Sequence, residues 1–135
     1  MDSPFPKDCF LESLKRCSSR NEFMQSFYVE FLASSEIVRQ KFSHVDMKHQ
    51  SRMLLGSLHI IASAVAGIPE GLRELKARAE SHDRQHLNIT PELYDCWRNA
   101  MLVTARQFDE QWSESVEEAW NRILGFLTTH MIRSY

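Results

Sequence analysis

Glycine and proline are scarce in this chain, four of each in 135 residues, and no segment shows the period-two alternation of a half-buried strand. That scarcity excludes a fold made of many tight turns and predicts a few long helices. Cysteine is nearly as rare. Cys9, Cys17 and Cys96 are an odd number with no Cys-x-x-Cys spacing, which excludes a disulfide framework or a cysteine-based zinc site and reads as reduced thiols in a cytoplasmic protein. A formal charge of −2 gives no electrostatic footprint for nucleic acid. The longest apolar stretch, around Leu54 to Ile68, is broken by Gly56, Ser57, His59 and Ser63, so no membrane span is expected. MDSPFPKD at the N-terminus has neither the basic start nor the apolar run of a signal peptide. Signatures of common chemistries are missing as well: there is no GxSxG, no Gly-rich phosphate loop and no HExxH. The carboxylates are scattered over polar faces, and paired acid and base catalysis has no footing.

What is present suits one soluble domain over residues 1–135, since 43% hydrophobic residues can build a single core. Residues 1–7 read as a loose lead-in, with Asp8 capping a first helix that turns Phe10, Leu11, Leu14 and Cys17 inward. Ser18, Ser19 and Asn21 mark a break, and Asn21 is placed to cap a second helix. Its stripe of Phe23, Met24, Phe27, Tyr28, Phe31 and Leu32 is unusually aromatic. A short helical turn with Ile37, Val38 and Phe42 follows. Asp46 then caps a long helix whose inward positions are Met47, Gln50, Ser51, Leu54, Leu55, Leu58, Ile61, Ala62 and Val65. Gln50 is conspicuous there, because an amide on an apolar face must find a hydrogen-bond partner.

Gly67, Ile68 and Pro69 stop that helix and start another, from Glu70 to about His86. This segment carries little apolar surface, so something beyond ordinary packing is expected to hold it down. His82 and His86 stand four apart and would share one helical face. Their spacing alone leaves zinc, haem iron and simple solvent exposure open, while His44, His49, His59 and His130 read as surface or rim residues. Thr90 and Pro91 launch a helix with Leu93, Cys96, Trp97, Ala100, Met101, Ala105 and Phe108 inward. Ser113 caps the last one, which buries Val116, Ala119, Trp120, Ile123, Leu124, Leu127 and Met131. The fold class is all-α, with six or seven helices.

In their order the landmarks FYVEFL at 27–32, KF at 41–42, DMKHQSRMLLGSL at 46–58, SHDRQH and ITPELYD resemble a bacterial single-domain globin from about Leu11 to Met131. The resemblance implies a three-over-three helical sandwich around haem b, iron protoporphyrin IX. His82 would be the iron's proximal ligand, its second ring nitrogen held by a backbone or hydroxyl oxygen such as that of Ser81. It also implies that Phe42 packs on the haem and that Tyr28 and Gln50 are distal donors to the gas. Leu54 would form the pocket wall, and His86 would sit near a propionate with Arg52 or Arg84 assisting. A one-residue slip in the short corner would put His49 over the iron in place of Gln50. The function implied is binding of O2, with NO or CO as other diatomic ligands. The alternatives are nitric oxide dioxygenation with a separate reductase, or gas sensing through a partner.

Overall fold

The computed structural model describes residues 6–85 and 87–135. Seven helices run in order: α1 (Pro6–Ser18), α2 (Glu22–Ala33), α3 (Glu36–Lys41), α4 (Met47–Val65), α5 (Pro69–His82), α6 (Pro91–Phe108) and α7 (Glu114–Arg133). No strand occurs among the described residues.

Three helix starts use side-chain caps. Ser35 accepts from Ile37 N at 3.2 Å, Asp46 from Lys48 N and His49 N at 3.1 and 3.3 Å, and Ser113 from Val116 N at 3.2 Å, each satisfying a backbone donor the helix itself cannot. Two expected caps do not form: the side chains of Asn21 and Thr90 make no capping bond. At α6 the fixed φ of Pro91 and its missing N–H do much of that work. Helix α1 starts earlier than expected, at Pro6, which puts Asp8 in the first turn rather than at the cap.

The larger correction concerns α5, which stops at His82 and not near His86. Asp83 is extended, with ψ of 176°, and its carboxylate accepts from Gln85 N at 3.0 Å, an Asx turn that competes with helix continuation. His86 lies outside the described residues, and α5 ends at His82.

The helices form two layers, α1, α4 and α5 against α2, α6 and α7, with α1 packed along α7 and α2 along α6. The core between them centres on Trp120, Phe10, Phe23, Phe27 and Leu14, all fully buried. Phe10 meets Trp120 edge-on at 4.7 Å between ring centres. Buried Cys17 belongs to this packing, and burial pushes its thiol up to about 12, so at neutral pH it is an unreactive small hydrophobe.

One polar cluster is built into the core edge. Asp109, just past α6, receives Arg16 Nε at 2.6 Å, Arg16 Nη2 at 2.9 Å, Ser13 Oγ at 2.5 Å and Gln111 N at 2.9 Å. Trp120 Nε1 donates to Ser13 Oγ at 2.8 Å. The cluster joins α1, the corner after α6 and α7.

The corner between α4 and α5 is equally specific. Gly67, at φ +80°, ends α4 with Gly67 N on Ala64 O at 2.9 Å and Ile68 N on Ser63 O at 3.1 Å, the paired bonds of a Schellman motif. Gly71 then lets α5 lie directly on α4. A Cβ there would sit 2.7 Å from Ala64 N and 2.9 Å from both the carbonyl carbon and Cβ of Ser63, and backbone cannot yield as a flexible side-chain end can. Gly71→Ala is therefore expected to cost about 1–3 kcal/mol, as overpacking does. Gly56→Ala in the same pair of helices meets open space and should gain about 0.5–1 kcal/mol from helix propensity. Urea midpoints moving in opposite directions would bear this out, and equal midpoints would reject the close-packing account.

Candidate functional site

A cavity of about 430 Å³ lies where α2, α4, α5 and α6 converge, a size suited to a cofactor or small ligand. Its wall is mostly apolar and includes Phe42, Leu54, Ile61, Leu93 and Leu127.

His82 enters from the end of α5. Its Nδ1 is 2.7 Å from the Arg78 carbonyl oxygen and 2.9 Å from Ser81 Oγ, while Ser81 Oγ also donates to that carbonyl at 2.8 Å. A carbonyl only accepts, so Nδ1 carries the proton and Nε2 keeps its lone pair. Burial, supported by the nearby Arg78 charge, holds the His82 pKa below its ordinary value against the hydrogen bond to the Arg78 carbonyl. The outcome is a neutral imidazole with one nitrogen fixed and the other free, the form that ligates a metal.

Tyr28 lies in the same cavity, held by aromatic neighbours. Its ring centre is 4.8 Å from that of Phe27 and 6.2 Å from that of Phe42. Phe42 follows α3 and also meets Phe31 edge-on at 5.5 Å. Burial pushes the Tyr28 phenol up to about 12, against a lowering contact with Gln50, so the hydroxyl stays protonated and able to donate. The Tyr28 hydroxyl is 3.5 Å from the Gln50 backbone carbonyl, a long bond that ties up little of that capacity.

Gln50 and Leu54 of α4 also line the cavity, whereas His49 is exposed and does not. Arg52 and Arg84 are likewise exposed and lie off the cavity wall. Arg84 instead stacks on Tyr135, its guanidinium carbon 4.7 Å from the ring centre, and its Nε donates to Tyr135 O at 3.1 Å.

The loop after His82 is fastened from both sides. Leu87 N bonds Ser81 O at 3.1 Å and Ile89 N bonds His82 O at 3.0 Å. Asn88 takes the left-handed conformation, φ 53°, which asparagine tolerates, and its side-chain oxygen accepts from the Tyr135 hydroxyl at 2.6 Å. From α3, Lys41 Nζ donates to Leu87 O and Asn88 O at 3.2 and 3.0 Å.

Several lining residues were not singled out as functional in the sequence. Tyr94 and Trp97 stand three apart near the start of α6, and this spacing was the available signal for Tyr94. Leu87 and Ile89 lie in an aperiodic segment, where no pattern reveals an inward direction. Arg78 looks like one more charge on a charged helix, but it stands one turn before His82 and so on the same face.

The described residues contain no cluster of three His, Cys, Asp or Glu able to hold a metal ion, so a zinc reading of His82 has no partners among them. They do fit a haem: one metal-ready imidazole, an apolar slot with an aromatic wall, and the cations Lys41 and Arg78 on a lining with no Asp or Glu among the described residues.

A helical sandwich that turns a single neutral histidine into such a slot is the architecture of a haem-binding protein. The globin family model matches residues 25–131, and the chain belongs to the globin family, whose members bind haem. A solved protein of Pseudomonas aeruginosa PAO1, one structurally highly homologous to a human haemoglobin, is similar over nearly all of both chains. Identity is 30%, coverage is 97% of this chain and 98% of that one, and the TM-score is 0.92. Among curated proteins, none matches. No helix among the described residues is long and apolar enough to cross a membrane.

Proposed function

We propose that this globin holds haem b through His82 and binds O2, with Tyr28 and Gln50 as hydrogen-bond donors to the gas and Phe42 and Leu54 as pocket walls. The observation that carries the reading is the pairing of His82, its Nδ1–H fixed on the Arg78 carbonyl and its Nε2 free, with a buried, protonated Tyr28 hydroxyl on the wall of the same cavity. Ferrous haem supplies the open coordination position at which a diatomic gas binds.

The chain's own residues do the rest. The Arg78 carbonyl selects the tautomer of His82 and makes its free nitrogen a better donor. The apolar wall keeps bulk water away from the site, which strengthens any hydrogen bond inside it. Tyr28 offers its O–H to a ligand that gains negative charge on binding, and Gln50 can offer its amide N–H. Carbon monoxide, less polar when bound, gains less from either donor.

Tyr28→Phe keeps the ring and removes only the hydroxyl. One lost hydrogen bond of about 1–3 kcal/mol corresponds to O2 release faster by roughly 5- to 150-fold, with CO release changed much less. Stopped-flow displacement of O2 by CO measures the first rate, and displacement of CO by NO the second. An unchanged O2 off-rate would return Tyr28 to a packing role.

A further inference from the structure

The two cations among the described residues of the cavity wall, Lys41 and Arg78, differ in what they already hold. Lys41 Nζ has two carbonyl acceptors, Leu87 O and Asn88 O. Arg78 Nε is buried and has no hydrogen-bond partner, and no described residue on the cavity wall is a carboxylate. A guanidinium N–H taken out of water without an acceptor is costly, so the acceptor is expected to arrive with whatever fills the cavity. The cofactor this fold implies carries two carboxylates on an otherwise apolar disc. Arg78 is also singular in its place on the chain: its own carbonyl takes the His82 Nδ1–H at 2.7 Å.

We propose that Arg78 holds a haem propionate through its buried Nε–H, so that one residue orients the iron ligand with its backbone and retains the cofactor with its side chain. Arg52, exposed and away from the cavity, does not take that part. The proposal rests on the haem reading above, and its test separates the two.

The protein and its Arg78→Met variant are each loaded with haemin or with haemin dimethyl ester, which has no free carboxylates. The rate of cofactor transfer to excess apomyoglobin is then followed by absorbance. With haemin, Arg78→Met should accelerate loss by roughly 10- to 100-fold, the worth of one charge-assisted hydrogen bond. With the dimethyl ester the same substitution should change little. Arg78→Lys should restore only part of the retention, because a point charge lacks the planar fork of guanidinium.

Equal acceleration with both cofactors, or none with either, overturns the assignment. So does a haemin-specific effect found with Lys41→Met and absent from Arg78→Met. Should Arg78→Met not fold, Arg78→Gln serves in its place, with an expected haemin-specific loss smaller than tenfold; acceleration equal for both cofactors would again overturn it. If the unsubstituted protein shows no Soret band with haemin, the haem reading itself fails, an outcome distinct from any of these.

Discussion

His82→Ala should abolish the five-coordinate, histidine-ligated ferrous spectrum, and free imidazole at millimolar concentration should restore it. The expectation follows from the fixed tautomer: Nδ1–H is committed to the Arg78 carbonyl at 2.7 Å, which leaves Nε2 as the only nitrogen of that ring free to reach iron. Removing a metal's outer-shell partner commonly costs about 10- to 100-fold in affinity, and removing the ligand itself should cost more. Haem titration of the variant, read at the Soret band with and without imidazole, gives both quantities. If His86→Ala loses the spectrum and His82→Ala keeps it, the proximal assignment fails.

Asp109→Ala should produce the largest loss of stability away from the cavity, about 3 kcal/mol, the lower end for breaking a buried ion pair. The lower end applies because Arg16 keeps 26% of its side-chain surface in water while the carboxylate keeps none. For a chain of this size that is roughly a 10 °C fall in Tm. Ser13 and the Trp120 indole lose their anchor as well. Acid should reproduce the effect. Burial by itself raises the Asp109 pKa, but hydrogen bonds from Arg16, Ser13 and the Gln111 N–H outweigh it and leave the pKa below the ordinary value. A depressed carboxylate stabilises the fold above its unfolded pKa, near 4, and that contribution disappears as pH falls through the lower folded value. The difference in unfolding free energy between the native chain and Asp109→Asn should therefore be constant from neutral pH to about 5 and shrink below 4. A difference that grows on acidification would contradict the ion-pair account.

Much of the fold was legible in the sequence because helical periodicity and caps are local. The buried Phe10, Leu14 and Cys17 of α1, the aromatic stripe of α2 and the Asp46 cap of α4 lie where spacing put them. The misplaced ends have local causes that periodicity does not carry. Pro6 could open α1 in place of Asp8, and an Asx turn at Asp83 ended α5 before the second histidine. The candidate site was less legible. His82 and Gln50 stood out by spacing and polarity, but their roles, like those of Tyr28, Phe42 and Leu54, came through resemblance to the globin landmarks; all five line one cavity. Arg52 had no pattern to distinguish an inward from an outward arginine, and it is exposed. Arg78 was hidden for the opposite reason: on a helix rich in Lys, Arg and Glu, a charge aimed inward looks like its solvated neighbours. The buried Asp109 cluster was equally invisible, since Asp109 lies more than ninety residues along the chain from Ser13 and Arg16.

The contact at Gly71 has a mechanical consequence for His82, the proposed iron ligand. His82 is eleven residues further along α5, so the helix acts as a lever about 16 Å long, at 1.5 Å per residue. Its fulcrum is the backbone of α4 at Ser63 and Ala64, and its far end is moored by the loop that Tyr135 and Lys41 hold. A tilt of only about 4° at the fulcrum would carry the imidazole roughly 1 Å over such a length. Gas affinity should thus respond to substitutions at a corner of the molecule that touches neither gas nor haem.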